Sequence, residues 1–284
     1  MNKLTKPCPP VGRKIPPFGF RSGLAAGRCC RRYASGTKVE KFKLVAILIL
    51  GAIMLAPNFA FCEVMTEAQL SEWMAYYYLN PAPDEVPTAI AVMRRDAVFA
   101  NDEAYAGVTS FLSVIFAANP ERLSGWVDSL NDLTTRESQA LASSLWLAGT
   151  EQARESLTML AERGGDEPAP FIQELLETPV TPIETFEITT VAILYMLWGA
   201  FTASGAEIYV ERIISALPYR EVRDDTTKLA IGGAAMWSLT AVAIQHDKVF
   251  DICVEQKSVQ KPDIAKFLDE ILSTATEKQR GPDV

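Results

Sequence analysis

The sequence predicts an all-α fold: stacked antiparallel helical hairpins, as an irregular superhelix or a helical bundle, behind an N-terminal signal or anchor segment. Three observations carry that expectation. Apolar residues recur every third or fourth position through most of residues 66–278. Short breaks interrupt this pattern near residues 80, 119, 149, 204 and 246. An uncharged stretch, residues 44–61 (LVAILILGAIMLAPNFAF), divides a basic, Pro- and Gly-rich leader from an acidic body.

That stretch sets the expected destination. Its uninterrupted apolar run, Leu44 to Ala56, would span roughly 20 Å as a helix, short of the ~30 Å hydrocarbon core. Pro57 and Asn58 then end the helix. With Lys38, Lys41 and Lys43 before it, the run reads as the h-region of a secretory signal, with cleavage after Ala60 or Cys62. Lipid attachment at Cys62 and an uncleaved, tilted inner-membrane anchor through residues 44–61 are the alternatives. Residues 1–43 are read as a basic disordered leader. Val39 is a candidate start, giving a compact signal that begins VEKFKLVAILIL. Cys29-Cys30 beside Arg31-Arg32 lacks a partner His or Cys at metal-ligand spacing.

Charge bounds the partners. Residues 1–43 hold eleven Lys/Arg and one acid, leaving sixteen basic and thirty-four acidic residues for the remainder, a net of −18. So acidic a body repels nucleic-acid phosphates and anionic lipid, so the expectation is no nucleic acid, and membrane contact only through residues 44–61 or a lipid on Cys62. Of the five cysteines only Cys253 lies clearly beyond the signal, which leaves no disulfide framework, and its apolar helical setting predicts a buried thiol.

The body divides into a first helical half (63–163), a linker with one short helix near Phe171–Leu176 (164–185), and a second half (186–284). Thr66 and Gln69 form a capping box ahead of a helix carrying Leu70, Trp73, Met74, Tyr77 and Tyr78. It stops at Asn80-Pro81, and a second helix runs through Val86, Ile90, Met93 and Ala97. Residues 104–130 make a hairpin in which Asn119 caps a new helix with Pro120 at its first position. Residues 138–160 break at Gly149-Thr150, 189–217 at Ser204-Gly205, and 229–255 near Gln245-His246-Asp247. Residues 189–203 and 229–244 are apolar nearly all round and are expected as the core of the second half; membrane insertion is the alternative. The last helix, PDIAKFLDEILSTATEK, is amphipathic and reads as a cap.

Breaks spaced about 30 to 55 residues apart suit helix pairs stacked as in tetratricopeptide or HEAT-type arrays. The likeness is architectural; neither a fixed period nor the tetratricopeptide signature residues are kept.

Motifs for chemistry are sparse. No nucleophile elbow, phosphate loop or dinucleotide fingerprint occurs. No catalytic, metal or cofactor residue is assigned. The single histidine, His246, precedes Asp247 in a turn, where a surface placement outweighs a proton-transfer dyad. Gly164-Gly165-Asp166-Glu167 shares four letters with the diguanylate cyclase signature but falls in a helix-to-helix linker. Asp224-Asp225 and Asp269-Glu270 could in principle serve a cell-wall glycan hydrolase. The candidate binding residues are Trp73, Tyr76, Tyr77 and Tyr78, which either line a ligand groove or pack in the core with hydroxyls at the surface. Together these features point to an exported, periplasmic or secreted helical module that binds a protein or peptide partner in a bacterial envelope. A glycan hydrolase and a membrane-anchored helical domain are the alternatives.

Overall fold

The computed structural model describes residues 65–163 and 167–279. The leader, the uncharged stretch with its cleavage, lipidation and start sites, Cys8, Cys29, Cys30, Cys62 and Gly164-Gly165-Asp166 lie outside the described residues. Among the described residues the regular structure is wholly helical, so the all-α expectation holds: twelve α-helices linked by short 3-10 turns.

The chain enters through α1 (Glu67–Tyr76). Its capping box is formed as the sequence predicts: the Gln69 backbone N–H donates to Thr66 Oγ1 (3.2 Å) and the Thr66 N–H to Gln69 Oε1 (2.7 Å). A 3-10 turn, Pro83–Glu85, leads into α2 (Val86–Arg95), with Pro87 in its first turn where a missing N–H costs nothing. Ala97, expected on this helix, instead adopts φ 53° and lies outside it. The 3-10 turn that follows, Val98–Ala100, places Val98 and Phe99 in the core.

The third helix, α3 (Asp102–Ala118), is capped by Asn101, whose side chain accepts from the Glu103 N–H (2.9 Å). At its end stands a second departure. Asn119 does not cap the helix that follows; its Nδ2 donates back to the Ile115 carbonyl (2.8 Å), one of the orphan acceptors of the last turn of α3. The short α4 (Leu123–Asp128) follows through a 3-10 turn. The next hairpin matches the prediction. The α5 helix (Thr135–Ala148) opens on a capping box of Thr134 and Glu137 and closes on Gly149 at φ 69°. Thr150 Oγ1 then accepts from the Ala153 N–H (3.1 Å) at the start of α6 (Glu151–Arg163). The next helix, α7, spans Ala169–Glu177 and buries Ile172 in the core.

The remaining helices are α8 (Val191–Ser204), α9 (Glu207–Ile214), α10 (Thr226–Gln245), α11 (Asp247–Val259) and α12 (Pro262–Gln279). Gly205 at φ 68° ends α8, and Asp225 caps α10 by accepting from the Lys228 N–H (3.0 Å). Buried apolar side chains fall into two clusters: one built on α1 to α7 around Phe111, Leu112 and Leu141, the other on α8 to α12 around Trp198, Phe201 and Leu239.

The clusters meet where α3 crosses α8, the most extensive helix contact in the fold. Close approach is possible there because Gly107 and Gly199 carry no side chain. A Cβ on Gly199 would lie 2.0 Å from the Gly107 carbonyl oxygen. Ser110 Oγ donates across the crossing to the Met196 carbonyl (2.7 Å), so a buried hydroxyl finds its partner at the tightest point. Cys253 is fully buried in the second cluster, and desolvation pushes its thiol up to about 12.

Candidate functional site

Two features stand out on the second cluster, and they adjoin at Gln245. The first is a groove of about 690 Å³ between α10 and α12. One wall is a stripe of α10: Gly233, Met236, Trp237, Thr240, Ala241 and Ile244. The other wall is Glu270, Thr274 and Lys278, one turn apart on α12, with Arg220 at the Gly233 end. Trp237 is 44% exposed, an unusual position for an indole on so apolar a helix. Glu270 accepts from Arg220 Nη1 (2.9 Å), which anchors that end. Two smaller clefts, about 340 and 350 Å³, include no aromatic side chain.

The groove revises one expectation. Residues 229–244 were expected to be buried all round. Instead α10 packs Ile231, Ala235, Leu239 and Val242 inward and leaves the Gly233–Trp237–Ala241 side open. Hydropathy cannot tell these two sides apart; only the weakly polar Thr240 and Gln245 on the open side hint at it. By length and composition α10 is the one helix among the described residues able to cross a membrane.

The second feature is a cluster around His246 at the turn between α10 and α11. The histidine expected at the surface is buried, 4% exposed. What covers it comes from the distant end of α1. Tyr76 stacks on the imidazole (centroids 4.7 Å apart, planes at 29°), and Tyr78 Oη lies 3.2 Å from Nδ1, the donor set by the tautomer. Tyr76 Oη also reaches toward the Gln245 carbonyl (3.5 Å). Burial pushes the imidazole below its ordinary range, and the nearby Asp247 carboxylate partly offsets this. Burial raises the Tyr78 phenol, as do Tyr76 and Asp247 to a lesser degree. Nδ1 thus faces a phenol rather than Asp247, which is not the arrangement of an acid–base dyad.

Tyr78 is locked from several sides. Its backbone N–H donates to Thr202 O (3.0 Å), a carbonyl in the last turn of α8. Its ring packs on Gly205, where a Cβ would meet Cδ2 at 2.7 Å, and lies 5.2 Å from Phe201.

The four candidate aromatics therefore separate. Trp73 on α1 and Tyr77 just past its end, one turn apart, share a face and pack edge-on against Phe111 (5.4 and 5.6 Å) in the first cluster. Tyr76 and Tyr78 face His246 instead. The acidic pairs also separate. Asp269 pairs with Lys257 while Glu270 pairs with Arg220, because adjacent helix positions point about 100° apart. Asp225 serves as the α10 cap. No group of three or more His, Cys, Asp or Glu that could hold a metal ion occurs among the described residues.

No family model matches this chain, and no curated protein or solved structure matches it.

Proposed function

We propose that this protein is an exported, non-enzymatic helical scaffold that binds a protein or peptide partner in a bacterial envelope, with the α10–α12 groove as its binding surface. The observation that carries the reading is Trp237, an exposed indole in an open groove whose α10 wall is mostly apolar, on a body of strongly acidic net charge. Exposed aromatics in concave apolar sites are characteristic anchors for partners. Export rests on the basic residues before 44–61 and on the length of that run. The helices are read as hairpins gathered into a bundle rather than an open superhelix. In a regular solenoid each repeat touches only its neighbours, whereas α3 packs against α8, beyond four intervening helices.

The binding role is tested with a photo-crosslinking amino acid at position 237 of the full-length chain in its native cells. Discrete adducts are expected at 237 and not at Val259, an exposed position outside the groove. Equal or absent adducts at the two positions overturn the role. Export is tested by fractionation and N-terminal sequencing. Recovery of the chain in the cytosol with residues 44–61 intact overturns it.

A further inference from the structure

We infer that the groove accepts a three-turn amphipathic helix of the partner protein, apolar toward Trp237 and Ile244 and acidic at the end that meets Lys278; this rests on the binding role above. Length is the first reason. From Gly233 to Ile244 the open stripe of α10 rises about 17 Å, three helical turns, which a partner helix matches with anchors at i, i+3 or i+4, and i+7.

Hydrogen bonding is the second. An extended peptide needs donors and acceptors for its main chain. The groove walls are helices whose main chain is bonded internally, and the Thr240 and Thr274 hydroxyl protons go to the Met236 and Glu270 carbonyls, 2.8 Å each, which leaves those oxygens only as acceptors. A helix satisfies its backbone internally and asks only for side-chain contact. An acyl chain fits less well, because the groove is open beside Gly233 and Trp237, and its α12 wall carries Glu270 and Lys278.

Charge is the third. The remainder of the chain beyond residue 43 carries a net of −18, yet in the groove Arg220 offsets Glu270 through their ion pair and Lys278 adds a further positive charge. Arg220 lies at the Gly233 end, where its backbone packs on Gly232; Lys278 is two turns beyond Glu270, about 12 Å further along α12. Acidic residues at the Lys278 end of a docked helix would meet that cation and be repelled by most other faces, which fixes direction as well as affinity.

The test uses the full-length chain and three fluorescein-labelled fourteen-residue peptides read by anisotropy. The first carries Leu at i, i+3, i+7 and i+10 with Glu at one end. The second replaces those Glu residues by Lys. The third scrambles the first. Palmitate is a fourth probe, read by displacement. The Glu peptide is expected to bind about tenfold or more tightly than the other two, and Trp237→Ala to weaken it about tenfold or more. Gly233→Glu, where an added Cβ meets nothing within 4 Å, should leave the circular dichroism unchanged and abolish binding. Equal binding of the scrambled peptide, tighter binding of the Lys peptide, palmitate bound in preference to peptide, or no binding of any peptide overturns the inference. Those results leave the adducts at position 237 to decide the binding role separately: adducts without this peptide preference mean a different partner chemistry, and absent adducts mean a different role.

Discussion

Gly199 and Gly233 lie on α8 and α10, and the same substitution should have opposite effects on them. At Gly199 a methyl would lie 2.4 Å from Ser110 Oγ and 2.0 Å from the Gly107 carbonyl oxygen, a backbone atom that cannot give way without parting α3 from α8. Gly199→Ala is expected to cost about 3 kcal/mol, and urea midpoints will show it. At Gly233 nothing lies within 4 Å, so Gly233→Ala should gain about 0.5–1 kcal/mol from helix propensity alone. His246 supplies a second residue-scale prediction. Its folded pKa is depressed by burial, so the unfolded chain takes up the proton more readily. Its contribution to stability is therefore complete above the unfolded value near 6.5 and is lost as pH falls below that value toward the folded one. Carboxylates titrate in the same fold, so the comparison must be differential: between about pH 7.5 and about pH 5 the Tm of the unaltered protein should fall further than that of His246→Gln. Parallel curves would show that the imidazole is not held neutral.

At the scale of the helices, stability at the ends comes from side chains a few residues away. Thr134→Ala removes the hydroxyl half of the α5 capping box, leaving the backbone N–H of residue 134 on Glu137, and should cost about 1 kcal/mol, measured by chemical denaturation. Such ends were legible because the signal is local: Thr66 with Gln69, Gly149 before Thr150, and Ser204-Gly205 each mark a boundary within four residues. Asn119 shows the limit of that legibility, since an Asn between two helices can serve either one, and here the carbonyl of Ile115 claims it. The open side of α10 and the cover over His246 were not legible for a different reason. Each depends on what a remote segment does: α12 leaves one side of α10 uncovered, and the tyrosine meeting His246 is 168 residues away in sequence. Hydropathy periodicity reports that a side is apolar, not whether a neighbour arrives to cover it.

For the molecule as a whole, the α3–α8 crossing decides cooperativity. Because Gly199 and Ser110 interlock the two apolar clusters, residues 65–279 should unfold in a single transition, with far-UV circular dichroism and tryptophan fluorescence superimposing. Two separated transitions would mean that the clusters hold independently. Ser110→Ala, which deletes the bond to the Met196 carbonyl, should lower the midpoint by about 1 kcal/mol without splitting it. The deeply shielded thiol of Cys253 then acquires a practical meaning. At neutral pH it is both protonated and out of reach, so a passing oxidant or disulfide has nothing to attack while the helices stay closed. Any modification of that sulfur records an excursion in which the second cluster came apart, and the rate of its capture by a small alkylating reagent is a clock for how often that happens.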